Sequence, residues 1–121
     1  MRPPAPDVVV LDPAWPTRAL LRAQLIEEGY DVVATDAWPI PREYLRSGRR
    51  PRAFVVDLDG LPNPRNVLDE VCSVIAPNRV VVVTAIGTME IDEIREMGFR
   101  AIARPTSVSD IVAAVAAILG P

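Results

Sequence analysis

The segment RVVVVT, residues 79–84, has four consecutive valines between an arginine and a threonine. A continuous apolar run of β-branched residues is typical of a strand that is buried on both faces. Such strands occur inside parallel sheets that are covered by helices on both sides. The segment therefore predicts a central strand in an α/β fold.

Strand-like and helical segments alternate along the whole chain. Short apolar runs predict strands at residues 8–11, 31–34, 53–56, 79–84 and 101–103. Apolar residues at helical spacing, bounded by glycine or proline, predict helices at residues 18–28, 41–47, 64–76, 88–97 and 107–119. This alternation predicts a doubly wound parallel sheet within one domain spanning residues 1–121. Residues 1–6 and 120–121 are predicted to be tails.

Composition limits the classes of function. The chain has 121 residues, of which 50% are hydrophobic and 24% charged, as expected for one folded domain. The net charge of −3 argues against direct nucleic-acid binding by this chain. A single cysteine, Cys72, excludes an internal disulfide and indicates a reducing, cytoplasmic compartment. No apolar run approaches the length needed to span a membrane.

Two residue types are missing from the sequence. There is no histidine, and all 13 basic residues are arginine, so the chain has no lysine. Histidine general bases, histidine metal ligands and phosphohistidine are therefore excluded. Phosphate loops and Schiff bases that need a lysine are excluded as well.

Polar side chains stand at the carboxyl ends of four predicted strands. They are Asp12, Asp57 with Asp59, Thr84, and Arg104 followed by Pro105. In open parallel sheets, ligands bind at this edge. Two acids, a hydroxyl and a cation at four separate strand ends predict a functional site there. The alternative is that strand ends simply meet polar loops.

The sequence resembles the receiver domains of two-component response regulators, the CheY-like family, over nearly its whole length. The stretches VVVLD, ALLRAQLIEEGYDVVATDA, AFVVDL, VVVVTA and AIARP follow the family's strand motifs in order. The resemblance implies a flavodoxin-like sheet of five parallel strands in the order 2-1-3-4-5. It also implies phosphorylation of the aspartate that ends strand three, Mg²⁺ held by acids that end strand one, and a hydroxyl and a lysine that sense the phosphoryl group.

Three positions keep the family's pattern. The phosphoacceptor falls on Asp57, the first acid of the metal site on Asp12, and the switch hydroxyl on Thr84. The backbone carbonyl of Asp59 would be a further metal ligand beside the Asp12 and Asp57 side chains. The resemblance therefore implies a metal site with two of its carboxylates present.

Three positions depart from the pattern. The second metal-binding acid falls on Pro13, the lysine on Arg104, and the aromatic switch residue on Ala101. Pro13 offers no side-chain oxygen to Mg²⁺, so weak metal binding at most is expected. The planar guanidinium of Arg104 suits a bidentate pair with Asp57, which could hold the pocket closed without metal. The resemblance also implies a cis peptide bond between Arg104 and Pro105.

These departures predict a pseudo-receiver: a signal-transduction module that acts through protein–protein interaction, with weak or no phosphorylation of Asp57. The alternative is a working phospho-accepting response regulator that uses Asp57 and Mg²⁺ and takes its phosphoryl group from a histidine kinase. Neither hypothesis makes the chain an enzyme beyond autophosphorylation and dephosphorylation of Asp57.

Residues 111–119, IVAAVAAIL, are apolar nearly all round the predicted last helix. In the receiver family the surface of helix four, strand five and helix five is used for pairing. A protein partner or a homodimer is therefore expected on this surface. The alternative is that the many alanines leave little apolar area exposed.

A rival hypothesis comes from the stretch DLDG, residues 57–60, which resembles the nucleophile motif of haloacid-dehalogenase-like phosphatases. Asp57 would be the nucleophile and Asp59 the acid and base. That family places the motif on an early strand and needs a lysine and a later acidic pair, which this chain lacks. Flavodoxin-like cofactor binding is also disfavoured, because the loop DPAWPTR contains no glycine to cradle a phosphate.

Overall fold

The computed structural model of the chain describes residues 5–85 and 87–120. The strands are β1 (Val8–Leu11), β2 (Val32–Thr35), β3 (Ala53–Asp57), β4 (Val80–Thr84) and β5 (Arg100–Ala103). The helices are α1 (Trp15–Glu27), α2 (Pro39–Arg46), α3 (Pro64–Cys72), α4 (Ile91–Glu96) and α5 (Val108–Leu119), with a 3₁₀ turn at Pro77–Arg79.

The five strands form one sheet in the order β2-β1-β3-β4-β5, and all four pairings are parallel. The predicted fold class is therefore confirmed. The valine run of β4 is buried along its whole length and is paired on both sides, as predicted for an interior strand. The middle of the sheet, however, is β3.

Side chains alternate between the two faces of the sheet, and each face carries its own core. Val80 and Val82 of β4 belong to the core that includes residues of α2, α3 and α4. Val81 and Val83 belong to the core that includes residues of α1 and α5. This period of two explains why an unbroken valine run suits an interior strand, since both sets of side chains leave water.

The strand register places the predicted site residues at one edge. Leu11 pairs with Val56, so Asp12 and Asp57 follow at the same level on neighbouring strands. Asp57 pairs with Val83, so Thr84 is one residue further along β4. Because parallel strands all point the same way, their carboxyl ends meet at this edge of the sheet.

Three helices differ from their predicted bounds by three residues or more at one end. α1 begins at Trp15, earlier than predicted. Pro16 is compatible with this start, because the N–H that proline lacks has no partner within a first helical turn. α4 begins at Ile91 rather than at residue 88, because Thr88 forms a turn that bonds back to Ala85. α3 ends at Cys72, which is half-buried against the core.

The chain ends were predicted to be tails. Of those residues, 1–4 and 121 lie outside the described part of the chain. Pro6 is buried, and the Gly120 N–H donates to the Ala116 carbonyl at 2.9 Å. No helix among the described residues is long and apolar enough to cross a membrane.

The N-cap of α5 gives a direct test of local stability. Ser107 Oγ accepts a hydrogen bond from the Asp110 N–H at 3.1 Å. Replacing an N-cap serine by alanine typically costs about 1 kcal/mol. We expect Ser107→Ala to lower the free energy of unfolding by about that amount in urea denaturation. Ser109→Ala, in the first turn of the same helix, is the control and should change stability by less than about 0.5 kcal/mol. Equal losses in the two variants would contradict the capping role.

Candidate functional site

The carboxyl edge of the sheet brings the predicted polar residues together in a largely buried setting. Asp12, Asp57 and Thr84 are each only 3% exposed. Arg104, which follows β5, is half-buried. Burying an ionised group is unfavourable unless it is paired and hydrogen-bonded, so the partners of these side chains define what the site can do.

Asp57 has a partner on each carboxylate oxygen. Its Oδ1 accepts a hydrogen bond from the Asp59 N–H at 2.9 Å. Its Oδ2 accepts a charge-assisted hydrogen bond from Nη2 of Arg104. The expected pairing of Arg104 with Asp57 is therefore present in the geometry.

The pairing differs in detail from the bidentate arrangement that was expected. The Arg104 Nε is buried and has no hydrogen-bond acceptor among the described residues. The Arg104 backbone N–H donates to the Thr84 carbonyl at 2.8 Å, which fixes the start of the turn after β5. The peptide bond between Arg104 and Pro105 is cis, the conformation that the family resemblance implied. One guanidinium nitrogen, rather than two, therefore contacts Asp57.

Asp12 is held by the start of the next helix. Its Oδ1 accepts from the Ala14 N–H at 2.8 Å, and its backbone carbonyl accepts from Nη1 of Arg18 at 2.9 Å. Burial raises the pKa of Asp12, against the lowering effect of the Ala14 N–H and of the charges of Arg104 and Arg18. The negative charge of Asp59 adds to the increase in pKa.

Pro13 directly follows Asp12 in the loop after β1. A Cβ placed on Gly60 would lie 3.7 Å from the Pro13 Cγ, so the proline ring lies near the loop after β3. Gly60 has a φ of +75°, a conformation that L side chains rarely adopt. A hydrocarbon ring therefore stands where the family resemblance implied a second carboxylate.

The hydroxyl of Thr84 is bonded within the loop between β4 and α4. Thr84 Oγ1 donates to the Met89 carbonyl at 2.7 Å and lies 2.6 Å from the Thr88 Oγ1. Thr88 also donates to the Ala85 carbonyl. The structure thus brings Thr84 to the predicted edge and gives its hydroxyl partners that the sequence analysis did not foresee. Ala101, the position of the missing aromatic residue, packs half-buried against the core beside α4.

The residues at this edge offer few free oxygen ligands to Mg²⁺. Mg²⁺ requires hard oxygen ligands in near-octahedral geometry. Both oxygens of Asp57 are already bonded, one of them to a guanidinium cation, and Pro13 supplies none. Between residues 5 and 120, leaving aside residue 86, no group of three or more acidic, cysteine or histidine side chains is placed to hold a metal.

Arginine and tryptophan side chains elsewhere in the chain differ in their surroundings. Arg52, in the arginine-rich turn before β3, donates to the Leu119 carbonyl at 3.2 Å and lies 3.6 Å from an Asp7 oxygen. Trp38 packs edge-on against Phe54, with ring centroids 6.4 Å apart. Trp15, in contrast, is 69% exposed.

Comparison with known proteins identifies the fold. No protein-family model and no curated protein matches the sequence. The receiver domain of the Francisella response regulator 1452 matches with a TM-score of 0.78 and 16% identity, over 93% of this chain and 95% of that one. A response regulator receiver protein from Burkholderia phymatum matches with a TM-score of 0.75 and 21% identity, over 98% and 96%. One from Sinorhizobium medicae WSM419 matches with a TM-score of 0.74 and 19% identity, over 95% and 94%. The chain therefore has the CheY-like receiver fold.

The buried carboxylate of Asp12 gives a pH-dependent prediction. Because burial raises its pKa above the ordinary value of 3.8, ionised Asp12 destabilises the folded chain at neutral pH. Asparagine cannot ionise but keeps an oxygen for the Ala14 N–H. We expect Asp12→Asn to be more stable than the unmodified chain at pH 7. The gain should shrink as the pH falls through the raised pKa and vanish below 3.8, where Asp12 is neutral in both the folded and unfolded chain.

The measurement is the free energy of unfolding in urea at a series of pH values. Asp36→Asn is the control, since Asp36 is an exposed acid in the loop after β2. A gain for Asp12→Asn that is absent at pH 7, or that grows in acid, would contradict the burial argument.

Proposed function

We propose that this chain is a cytoplasmic signalling module of the receiver type that acts by binding another protein, with weak or no phosphorylation of Asp57. The observation that carries the proposal is the contact between Arg104 and Asp57 at the carboxyl edge of the sheet. The fold supports the receiver role, and the contents of the pocket support the silent phosphoacceptor.

Phosphorylation of an aspartate requires one carboxylate oxygen to attack the phosphorus of a donor. Oδ2 of Asp57 is instead bound to a guanidinium, and Oδ1 accepts the Asp59 N–H. Arginine does not lose its proton at any physiological pH, so this cation stays charged. An incoming phosphodonor would have to displace it from a carboxylate that is only 3% exposed.

The neighbouring residues are consistent with a pocket that does not need metal. Pro13 contributes no side-chain oxygen, and its ring lies near the loop of Gly60. Oδ1 of Asp12 is bonded to the backbone of its own loop. We infer that Arg104 provides the positive charge at Asp57 that a divalent cation would otherwise provide, and that any Mg²⁺ binding is weak.

The hydroxyl of Thr84 supports the same reading. A switch hydroxyl that senses a phosphoryl group must be free to turn toward it. Here the hydroxyl donates to a buried carbonyl, that of Met89, at 2.7 Å. Leaving that acceptor unpaired would cost about 1–3 kcal/mol. The loop is thus held in one arrangement by bonds that a phosphoryl group would have to replace.

A protein partner is proposed to bind the surface formed by α4, β5 and α5. β5 lies at the edge of the sheet and has half-buried residues, Ala101 and Ile102, at its centre. On α5 the exposed residue Ala117 has a small side chain that would let a partner approach closely. Ala113 lines a groove with residues of α1 instead, so Ala117 is the better position for testing this surface.

The second candidate function is a working response regulator phosphorylated by a histidine kinase. It is favoured by one observation: Asp57 lies at the end of β3, with Asp12 level with it on β1. The haloacid-dehalogenase-like alternative has less support, because Asp59 is exposed and the nucleophile that it would serve is held by Arg104.

The two functions differ in their response to Mg²⁺ and acetyl phosphate. We expect the unmodified chain to show no saturable change in Trp15 fluorescence at millimolar Mg²⁺ and no acid-labile phosphoryl group on Asp57. Pro13→Asp should improve Mg²⁺ binding by adding an oxygen ligand. Pro13→Asp combined with Arg104→Lys should improve Mg²⁺ binding further and allow labelling of Asp57. The reason is that lysine carries a compact, flexible ammonium group in place of the planar guanidinium.

Intact mass before and after acid treatment reports the label, and the triple variant with Asp57→Asn controls for labelling elsewhere. If the unmodified chain saturates at millimolar Mg²⁺ and labels on Asp57, the silent-pocket proposal is wrong and the second candidate function holds.

A further inference from the structure

Arginine residues gather at the amino edge of the sheet, opposite the candidate site. Arg52 directly precedes β3, Arg79 directly precedes β4, and Arg100 is the first residue of β5. These three strands are neighbours in the sheet and run parallel, so the three arginines lie at the same edge. The chain as a whole has a net charge of −3. Positive charge is therefore concentrated at one edge of a chain that is acidic overall.

The guanidinium groups at this edge bond mainly to neutral carbonyl oxygens. Nη1 of Arg79 donates to the Arg52 carbonyl at 3.1 Å, and Nε of Arg100 donates to the Asn78 carbonyl at 2.9 Å. Among the described residues, the one carboxylate in ion-pair contact with these arginines is that of Asp7, whose Oδ1 lies 3.6 Å from Nη1 of Arg52. Hydrogen bonds to carbonyls hold the guanidinium groups in place but do not cancel their charge.

Two of these arginines border a cleft beside the starts of β3 and β4. Arg52 and Arg79, together with Arg50 from the turn before β3, line a cleft of about 280 Å³. Arg50 is exposed and forms no ion pair within the part of the chain that the structure describes. The rest of the lining is apolar and includes Val74 and Ile75, which follow α3. The cleft thus combines uncompensated positive charge with an apolar wall.

We propose that this arginine cleft, bordered by Arg50, Arg52 and Arg79, binds an acidic segment of a partner protein in which carboxylate and apolar side chains are interspersed. Carboxylates suit the cleft because the planar fork of a guanidinium can donate to both oxygens of a carboxylate. The wall at Val74 and Ile75 suits an aliphatic side chain of the same segment, which leaves water there. The cleft lies at the opposite edge of the sheet from the candidate site, so this inference goes beyond the proposed function and does not depend on it.

The dimensions and surroundings of the cleft favour a peptide over a nucleic acid. Adjacent strands lie about 4.8 Å apart, so the row of arginines across β3, β4 and β5 spans about 10 Å, the length of about three extended residues. Nucleic-acid binding domains usually carry a larger basic face, whereas this chain has a net charge of −3. A phosphate backbone also offers no aliphatic side chain for the apolar wall.

Fluorescence anisotropy with a labelled hexapeptide, Glu-Leu-Asp-Glu-Leu-Asp, tests the proposal on the full chain. We expect saturable binding that weakens as the salt concentration rises from about 0.05 M to about 0.5 M. One control peptide has Gln and Asn in place of the acids and removes the charge. A second has Ser in place of both leucines and removes the apolar contact. Each control should bind at least about fivefold more weakly than the hexapeptide.

Two matched pairs of variants locate the binding. We expect Arg50→Gln to weaken hexapeptide binding about fivefold, because a charge-assisted hydrogen bond is lost. Ala76→Glu, which adds a negative charge at an exposed position in the lining of the cleft, should weaken binding at least as much. Arg22→Gln and Ala23→Glu make the same changes at exposed positions of α1 and should leave binding unchanged. Urea denaturation confirms that each variant is folded.

The proposal is overturned if the hexapeptide does not bind at millimolar concentration, or if Arg22→Gln weakens binding as much as Arg50→Gln does. Tighter binding of an oligothymidylate of equal charge, lost in Arg50→Gln, would make the cleft a nucleic-acid site instead. Self-association of the chain that is lost in Arg50→Gln would assign the cleft to a second copy and would also contradict the proposal. None of these measurements involves Mg²⁺ or a phosphodonor, so their failure leaves the proposed function untouched.

Discussion

Parallel pairing of all five strands is the constraint on which the rest of this molecule depends. It sends every strand in the same direction, so the residues that follow β1, β3, β4 and β5 meet at one edge although they are far apart in sequence. The valine and leucine runs that drive this pairing are buried on both faces. Charged groups at the ends of such strands leave water with them, and each then needs a partner nearby.

The partner of Asp57 is Arg104, and this choice makes the other departures from the receiver pattern consistent with one another. In the proposed silent pocket, Arg104 supplies the positive charge beside the buried carboxylate, so the position next to it need not supply another oxygen. Pro13, whose ring lies near the loop of Gly60, is compatible with that arrangement. Removing Arg104 would leave Asp57 buried without its counter-charge. Breaking a fully buried pair costs about 3–5 kcal/mol, and the cost here should be smaller because the Arg104 side chain is 34% exposed.

The sheet and the convergence of Asp12, Asp57, Thr84 and Arg104 could be predicted from the sequence, because β-branched runs mark the strands and topology fixes where they end. The hydrogen bonds of Thr84 could not be predicted, since they depend on the conformation of the loop that contains Met89. The outward face of α1 was also missed. Leu20 and Leu21 are adjacent in sequence, and helical spacing alone does not say which of the two faces the sheet; packing buries Leu21 and leaves Leu20 exposed.

The site and α1 are joined by a short, rigid connection. Only Pro13 and Ala14 separate Asp12 from the first residue of α1, and Arg18 of that helix donates to the Asp12 carbonyl. A contact that holds α1 therefore also restrains the loop that carries Asp12 and Pro13. A displacement of α1 would reach Asp12 by two routes: the hydrogen bond from Arg18 and the proline-containing loop itself.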